Sequence, residues 1–267
     1  MAKYVIIGNS VAGIGGVEGI RSADPDGQIT LIADEPYHTY SRPLISYYLA
    51  GKVNDARMAY RPKGYYQKMR VTPMLGKRVV SLDTVRRQVE TDDGAKIGFD
   101  KLLVATGGVP FMPKIEGARA GTCFTFTKWD DAKAIKALVA ARPARVSRAV
   151  VIGGGLIGIK AAEALNELGV KVTIVEVAPA ILSTALDATG SKMMQAATQD
   201  AGIEVVLGNT VTGIGARGDT VTGVTLKDGK SLECDLVVVA IGVVPNVSIV
   251  KGTAVSVNRG ILVNDHL

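Results

Sequence analysis

The chain has 267 residues, 47% of them hydrophobic, and a formal net charge of +6. This is enough apolar material for a sizeable core in one large or two small domains, which excludes intrinsic disorder. The 31 Lys and Arg against 25 Asp and Glu are spread without a block of like charges, so acidic partners are favoured only mildly and nucleic acid is not an expected partner. The longest apolar runs, 149–159 and 236–245, are shorter than the about 18 residues a membrane span needs. The first ten residues lack the charged region, apolar stretch and cleavage site of a signal peptide, so a cytoplasmic location is expected. Cys123 and Cys234 stand alone, which excludes a disulfide framework, a zinc site and a Cys-x-x-Cys redox pair; two buried, inert thiols are expected.

In chain order, the first predicted element is a strand at Tyr4–Ile7 running into the turn Gly8-Asn9-Ser10-Val11-Ala12-Gly13 and then a helix. A second strand, Gln28–Ile32, leads to Asp34 and Glu35. Asp92-Asp93-Gly94 between alternating segments predicts a hairpin, followed by a buried strand, Leu102–Val104, that runs through Ala105 and Thr106 to Gly107. Two prolines between Val109 and Lys114 mark a domain crossing. The pattern then repeats. Ala149–Ile152 leads into Gly153-Gly154-Gly155-Leu156-Ile157-Gly158 and a helix, Lys171–Val175 leads to Glu176, Lys227-Asp228-Gly229 marks a hairpin, and Val237–Val239 leads to Gly242. Val244-Pro245-Asn246 marks the return crossing. The two units span about 100 and about 90 residues, so an α/β fold of two Rossmann-like dinucleotide-binding domains is expected, with parallel central sheets and antiparallel hairpin additions. Residues 1–112 and 245–267 form the first domain of this reading and 113–244 the second.

Each glycine of the second turn has a distinct task. Gly153 permits the tight turn, Gly155 lets a pyrophosphate approach the backbone, and Gly158 lets helix and strand pack closely, so the phosphate meets a helix N-terminus. Glu176 follows at about the 20-residue offset where a carboxylate accepts a ribose 2′-hydroxyl and repels a 2′-phosphate, which favours NADH over NADPH. The first turn has Ser10 in place of the middle glycine, a small residue able to donate a hydrogen bond. Asp34 or Glu35 is expected on a ribose there, or else in a solvated turn before Pro36.

At the level of these motifs the chain resembles the FAD-dependent pyridine nucleotide–disulfide oxidoreductases. The string Arg42-Pro43-Leu44-Ile45-Ser46-Tyr47-Tyr48-Leu49-Ala50-Gly51-Lys52 is similar to the branch of NADH:rubredoxin reductases and the flavin portion of nitrite reductases. The resemblance implies a glutathione-reductase-like fold, C-terminally truncated relative to that family, with FAD on the first domain and NADH on the second. It implies FAD contacts from Gly8, Ser10, Val11, Ala12, Gly13, Asp34, Glu35, Arg42, Pro43, Val79, Ala105, Thr106 and Gly107. It implies NADH contacts from Gly153, Gly155, Leu156, Ile157, Gly158 and Glu176, with Gly242 also at the cofactors. Beyond Asn264-Asp265-His266-Leu267 it implies a Gly-Asp segment that binds the flavin and an interface domain, through which alone a homodimer is expected.

Pro43 stands where related NADH oxidases and coenzyme A-disulfide reductases carry a redox cysteine, so thiol chemistry at that position is excluded and electrons must leave from the flavin itself. Lys160 stands where related ferredoxin reductases often carry Glu, and Tyr47 where they carry its Lys partner. A cation at Lys160 facing the flavin would favour hydride arrival from nicotinamide, although Glu163 is spaced to pair with it. Tyr65, Tyr66 and Trp129 read as core, and His38 as a turn residue without a catalytic task. The expected activity is an NADH oxidoreductase passing electrons through FAD to rubredoxin, ferredoxin or a nitrite-reductase partner, without metal. The alternatives are an NADH oxidase reducing O₂ and a non-catalytic nucleotide-binding module.

Overall fold

A computed structural model describes residues 1–141 and 146–267. The chain groups into two compact units: Met1–Ser41, Ala56–Val109 and Val244–Leu267 form the first, and Arg42–Asp55 with Pro110–Val243 form the second. The segment Arg42–Asp55 thus joins the second unit by its contacts, whereas the sequence reading kept it with the first. Its short helix, Ile45–Leu49, buries Ile45, Ser46 and Leu49 and packs on the helices Trp129–Ala141 and Leu156–Glu167.

The first unit is built on a four-stranded parallel sheet in the order Val71–Leu75, Gln28–Ala33, Lys3–Ile7, Lys101–Val104. Lys3–Ile7 is central, and its alternate side chains feed two cores, as the two-residue period of a strand requires. Ile6 packs with Ile14 and Val17 of the helix Val11–Ala23 and with Leu31, Tyr65 and Tyr66. Val5 and Ile7 pack on the other side with Ile32 and Val89, the latter from an antiparallel ribbon of Val79–Asp83, Gln88–Thr91 and Lys96–Gly98. The turn at Asp92-Asp93-Gly94 joins two strands of that ribbon, with Gly94 in the left-handed region.

The second unit repeats this plan with five parallel strands in the order Glu204–Val206, Lys171–Val175, Arg148–Ile152, Leu236–Val239, Cys123–Thr125. Val150, Ile152, Val237 and Val239 form one core with Val211, Ile214, Val221, Val224 and Leu226 of the ribbon Val211–Arg217, Thr220–Leu226 and Ser231–Glu233. The continuous apolar runs in the sequence are therefore strands covered on both faces, the usual state of a parallel sheet. Both units are α/β and Rossmann-like, each with its helix entering directly from the central strand through a glycine turn.

Candidate functional site

The two glycine turns share the same close backbone contacts at two positions each. Gly8 and Gly153 have φ of +122° and +110°, and a Cβ on either would lie 2.2 Å from the Ala105 carbonyl oxygen or 2.4 Å from that of Ala240. A Cβ on Gly13 would lie 2.0 Å from the Gly8 oxygen, and one on Gly158 1.9 Å from the Gly153 oxygen. Real Cβ atoms do not approach an oxygen so closely, so these four positions accept only glycine if strand and helix are to pack as they do. Gly155 is different: a Cβ there would meet nothing within 4 Å. The protein itself therefore leaves the space beside Gly155 open. Ser10 occupies the equivalent place in the first turn, and its side chain makes no capping hydrogen bond.

Helix ends reinforce this reading. The helix Ala188–Asp200 is capped by Asp187, which accepts from the Gly190 N–H at 2.7 Å, and Trp129–Ala141 has Asp130 and Asp131 in its first turn. The two helices that follow glycine turns, Val11–Ala23 and Leu156–Glu167, have neither a side-chain cap nor an acidic residue in the first turn. Their N-terminal N–H groups and positive dipole ends thus have no side-chain cap or acid beside them, an arrangement compatible with an anion such as a pyrophosphate. Val11 and Leu156, the first residues of these helices, are both exposed at 65%, leaving the entry to each turn open.

Beside the second turn, the Glu176 carboxylate accepts from the Gly154 N–H at 2.5 Å and from the Ala178 N–H at 2.8 Å. These bonds aim it along the turn, and each oxygen retains a lone pair for a hydroxyl donor. The first unit lacks this device. Gly8 N donates to Ile32 O as Gly153 N donates to Val175 O, so the position matching Glu176 is Ala33, with Asp34 and Glu35 one and two residues later. Glu35 is buried and accepts from the Tyr40 hydroxyl at 2.7 Å, while Asp34 is exposed.

The remaining sequence-selected residues divide between the units. Ala105 closes on Gly8, the Thr106 hydroxyl donates to the Asn246 carbonyl at 2.7 Å, and the Gly107 carbonyl accepts from the Asn246 N–H, all within the first unit. Val79 opens the ribbon strand packed on Val5 and Ile7. Ala12 is exposed in the first turn of its helix, and Ile157 lies in the first turn of the helix Leu156–Glu167. Arg42 and Pro43 lie in the second unit, where Arg42 donates to the Thr127 carbonyl at 2.8 Å, a partner that sequence spacing could not reveal. Gly242, at φ +113°, ends the strand run of that unit and accepts from the Phe111 N–H.

Lys160 is the fifth residue of the helix Leu156–Glu167, just beyond its first turn. Its ammonium pairs with Glu163, and it lies 4.8 Å from the centroid of the Tyr47 ring. Lys52 pairs with Glu167 at 2.6 Å and lies 5.8 Å from the same ring centroid. Two cations thus lie close to Tyr47. The recess among these groups holds only about 10 Å³, the space of a single water, so it is a packed charge cluster and not itself a nucleotide pocket.

Tyr65, Tyr66 and Trp129 are 7–8% exposed, each a packed core residue. Burial pushes the Cys123 thiol up to about 11, and burial together with the neighbouring Asp235 charge pushes Cys234 up to about 12, so both stay protonated and unreactive near neutrality. Among the described residues no cluster of His, Cys, Asp and Glu can hold a metal ion, and no helix is long and apolar enough to cross a membrane.

Residues 2–267 match the pyridine nucleotide-disulphide oxidoreductase family. The chain belongs to that family. It is 35% identical to a nitrite reductase (NAD(P)H) of Bacillus subtilis, covering 99% of this chain and 32% of that protein, and 34% identical to rhodocoxin reductase of Rhodococcus erythropolis, covering 99% and 61%. Its fold matches the reductase of a covalent putidaredoxin reductase–putidaredoxin complex with a TM-score of 0.91 at 28% identity, over 99% of this chain and 64% of that one. The chain therefore spans from about a third to under two thirds of the length of these relatives.

Proposed function

We propose that this chain is the dinucleotide-binding part of an FAD-dependent NADH oxidoreductase, with FAD on the first unit, NADH on the second, and a small redox protein as acceptor. The observation that carries the reading is the presence, twice in one chain, of a glycine-locked turn feeding a helix whose N-terminus has no side-chain cap and no acid. When bound, FAD supplies an isoalloxazine that accepts a hydride and gives up electrons singly.

The protein's own task is to bind and orient. Gly153 and Gly158 hold the second turn so that its N–H groups face a pyrophosphate, and the open side of Gly155 lets that group approach. Glu176, already aimed by two N–H donors, receives a ribose hydroxyl and repels a 2′-phosphate, which selects NADH. On the first unit Gly8 and Gly13 do the same work, and exposed Asp34 is the acid assigned to a ribose, Glu35 being turned onto Tyr40. Lys160 tunes hydride transfer electrostatically, with its charge partly offset by Glu163. Pro43 offers no thiol, so no side chain at that position relays electrons.

The acceptor is assigned by likeness: the rhodocoxin and putidaredoxin reductases are named for small redox proteins, and this chain aligns along nearly its whole length with both. The nitrite reductase supports the second acceptor class, a partner that reduces nitrite.

An absorption spectrum of the purified protein tests the reading, taken before and after adding FAD and then NADH without oxygen. Flavin bands that stay with the protein through gel filtration and bleach on NADH are the expected result. Tight NADH binding without any flavin retention would overturn it in favour of a nucleotide-binding module.

A further inference from the structure

The two turns are kept in shape by different means. In the second, the N–H of Gly154 is received by Glu176. In the first, Asn9 takes the place of Gly154 and Ala33 that of Glu176, so no carboxylate stands at the strand end. The Asn9 side chain works in the opposite direction. Its Nδ2 donates to the Tyr37 carbonyl at 3.1 Å, and its Oδ1 accepts from the Tyr66 hydroxyl at 2.8 Å. The Tyr66 oxygen in turn accepts from the Thr39 N–H at 3.0 Å. The relay therefore starts and finishes in the segment Tyr37–Thr39 and passes through the middle of the glycine turn, with every member in the first unit. Tyr66 is itself fixed, 8% exposed, with its ring 4.8 Å from that of His38 and 5.8 Å from that of Tyr65. In the same segment, His38 Nε2 and Thr39 Oγ1 are buried without a hydrogen-bond partner in the structure. The segment is thus tied to the turn through Asn9 and Tyr66, while the Thr39 carbonyl accepts from the Tyr60 N–H.

We propose that Tyr66, acting through Asn9, is a positioning residue that clamps Tyr37–Thr39 onto the first glycine turn and so sets the affinity of that turn for a nucleoside diphosphate, the adenosine half of FAD. This rests on the assignment of FAD to the first unit. Tyr66 does not touch the nucleotide; it holds the side-chain amide of the turn in the rotamer that binds the loop, so the ordering cost is met before the ligand arrives.

Calorimetric titration of the flavin-free full chain with FAD, and separately with ADP, tests the proposal, with NAD⁺ saturating the second turn. Tyr66→Phe and Asn9→Gly are each expected to weaken both ligands by about three- to tenfold, the range of one lost hydrogen bond. The double variant is expected to bind no more weakly than the poorer single one, because both remove the same relay. NAD⁺ affinity is expected to stay at the parent value in all three, which separates positioning from general loss of structure. Parent-like FAD and ADP affinities in Tyr66→Phe, or losses that add in the double variant, would overturn the proposal. If Tyr66→Phe does not fold, Asn9→Gly decides alone, since it cuts the same relay at its less buried member. A parent chain that binds neither FAD nor ADP overturns the FAD assignment itself, an outcome distinct from a parent that binds and variants that match it.

Discussion

The turn at Gly8 and the turn at Gly153 share one steric frame and differ in how that frame is furnished. In both, the carbonyl of the residue just past a strand beside the central one, Ala105 or Ala240, presses on the first glycine, and the first glycine's own carbonyl presses on the helix. Around this frame the second turn has an open position at Gly155 and a carboxylate at Glu176, whereas the first has Ser10 and the amide relay from Asn9 to Tyr66. The frame belongs to the βα junction and is set by backbone contact. The furnishing is side-chain chemistry and is free to differ according to what each turn holds.

The largest expected effect breaks the frame. Gly158→Ala places a Cβ 1.9 Å from the Gly153 oxygen, and Gly13→Ala does the same 2.0 Å from Gly8. Both should lose about 3 kcal/mol or more in denaturant unfolding, beyond ordinary overpacking because the neighbour is rigid backbone. A turn that accepted alanine at either place would show that the two frames are not alike. Gly155→Ala should instead keep stability within about 1 kcal/mol and weaken NADH at least tenfold, measured by fluorescence titration. Equal loss of stability would mean that Gly155 serves the fold.

A smaller effect is expected at Lys160. Lys160→Glu in the flavin-loaded protein should slow reduction by NADH in stopped flow, by about tenfold for one charge reversal near the reacting atoms, with NADH affinity nearly intact. Unchanged rates would reduce the Tyr47–Lys160–Glu163 cluster to a surface ion pair. Glu176→Gln should narrow the preference for NADH over NADPH several-fold and weaken NADH modestly, because an amide still accepts one N–H while it no longer repels phosphate. An unchanged preference would remove Glu176 from the ribose.

The smallest effect concerns pH. Cys123 and Cys234 titrate at about 11 and about 12 in the folded chain against an ordinary 9.0, so the unfolded chain sheds these protons first. Their contribution to stability is complete below pH 9 and declines as pH rises through the folded values. The denaturation midpoint of Cys234→Ala should therefore fall less steeply above pH 9 than that of the parent. Parallel curves would show that the thiol does not titrate late.

Much of the fold was legible because its signals are local and steric. The apolar runs at 4–7, 102–104, 149–152 and 237–239 became paired parallel strands, and both Asp-Gly hairpins formed, since period, glycine and turn chemistry point to the same structure. What escaped notice depends on partners distant in sequence. Nothing in the sequence around Arg42 announces the Thr127 carbonyl 85 residues away. The offset of one residue that makes Ala33 the counterpart of Glu176 is invisible until the strand register is known, because Asp34 and Glu35 look equally well placed. Nothing in the sequence assigns Asn9 a task within the glycine motif, although tyrosine at 66 is a signal that a buried hydroxyl needs a partner.

The first unit is threaded from three stretches, the last beginning at Val244, and Thr106 is tied to Asn246 across that gap. On the ribosome this reverses the order of completion. The long stretch Pro110–Val243 can collapse as soon as it emerges, while the unit that opens the chain waits, with its Gly107 carbonyl unsatisfied, for Val244 and the residues after it. The unit begun first is thus the one completed second, and in the interval its unpaired groups stay open to other partners.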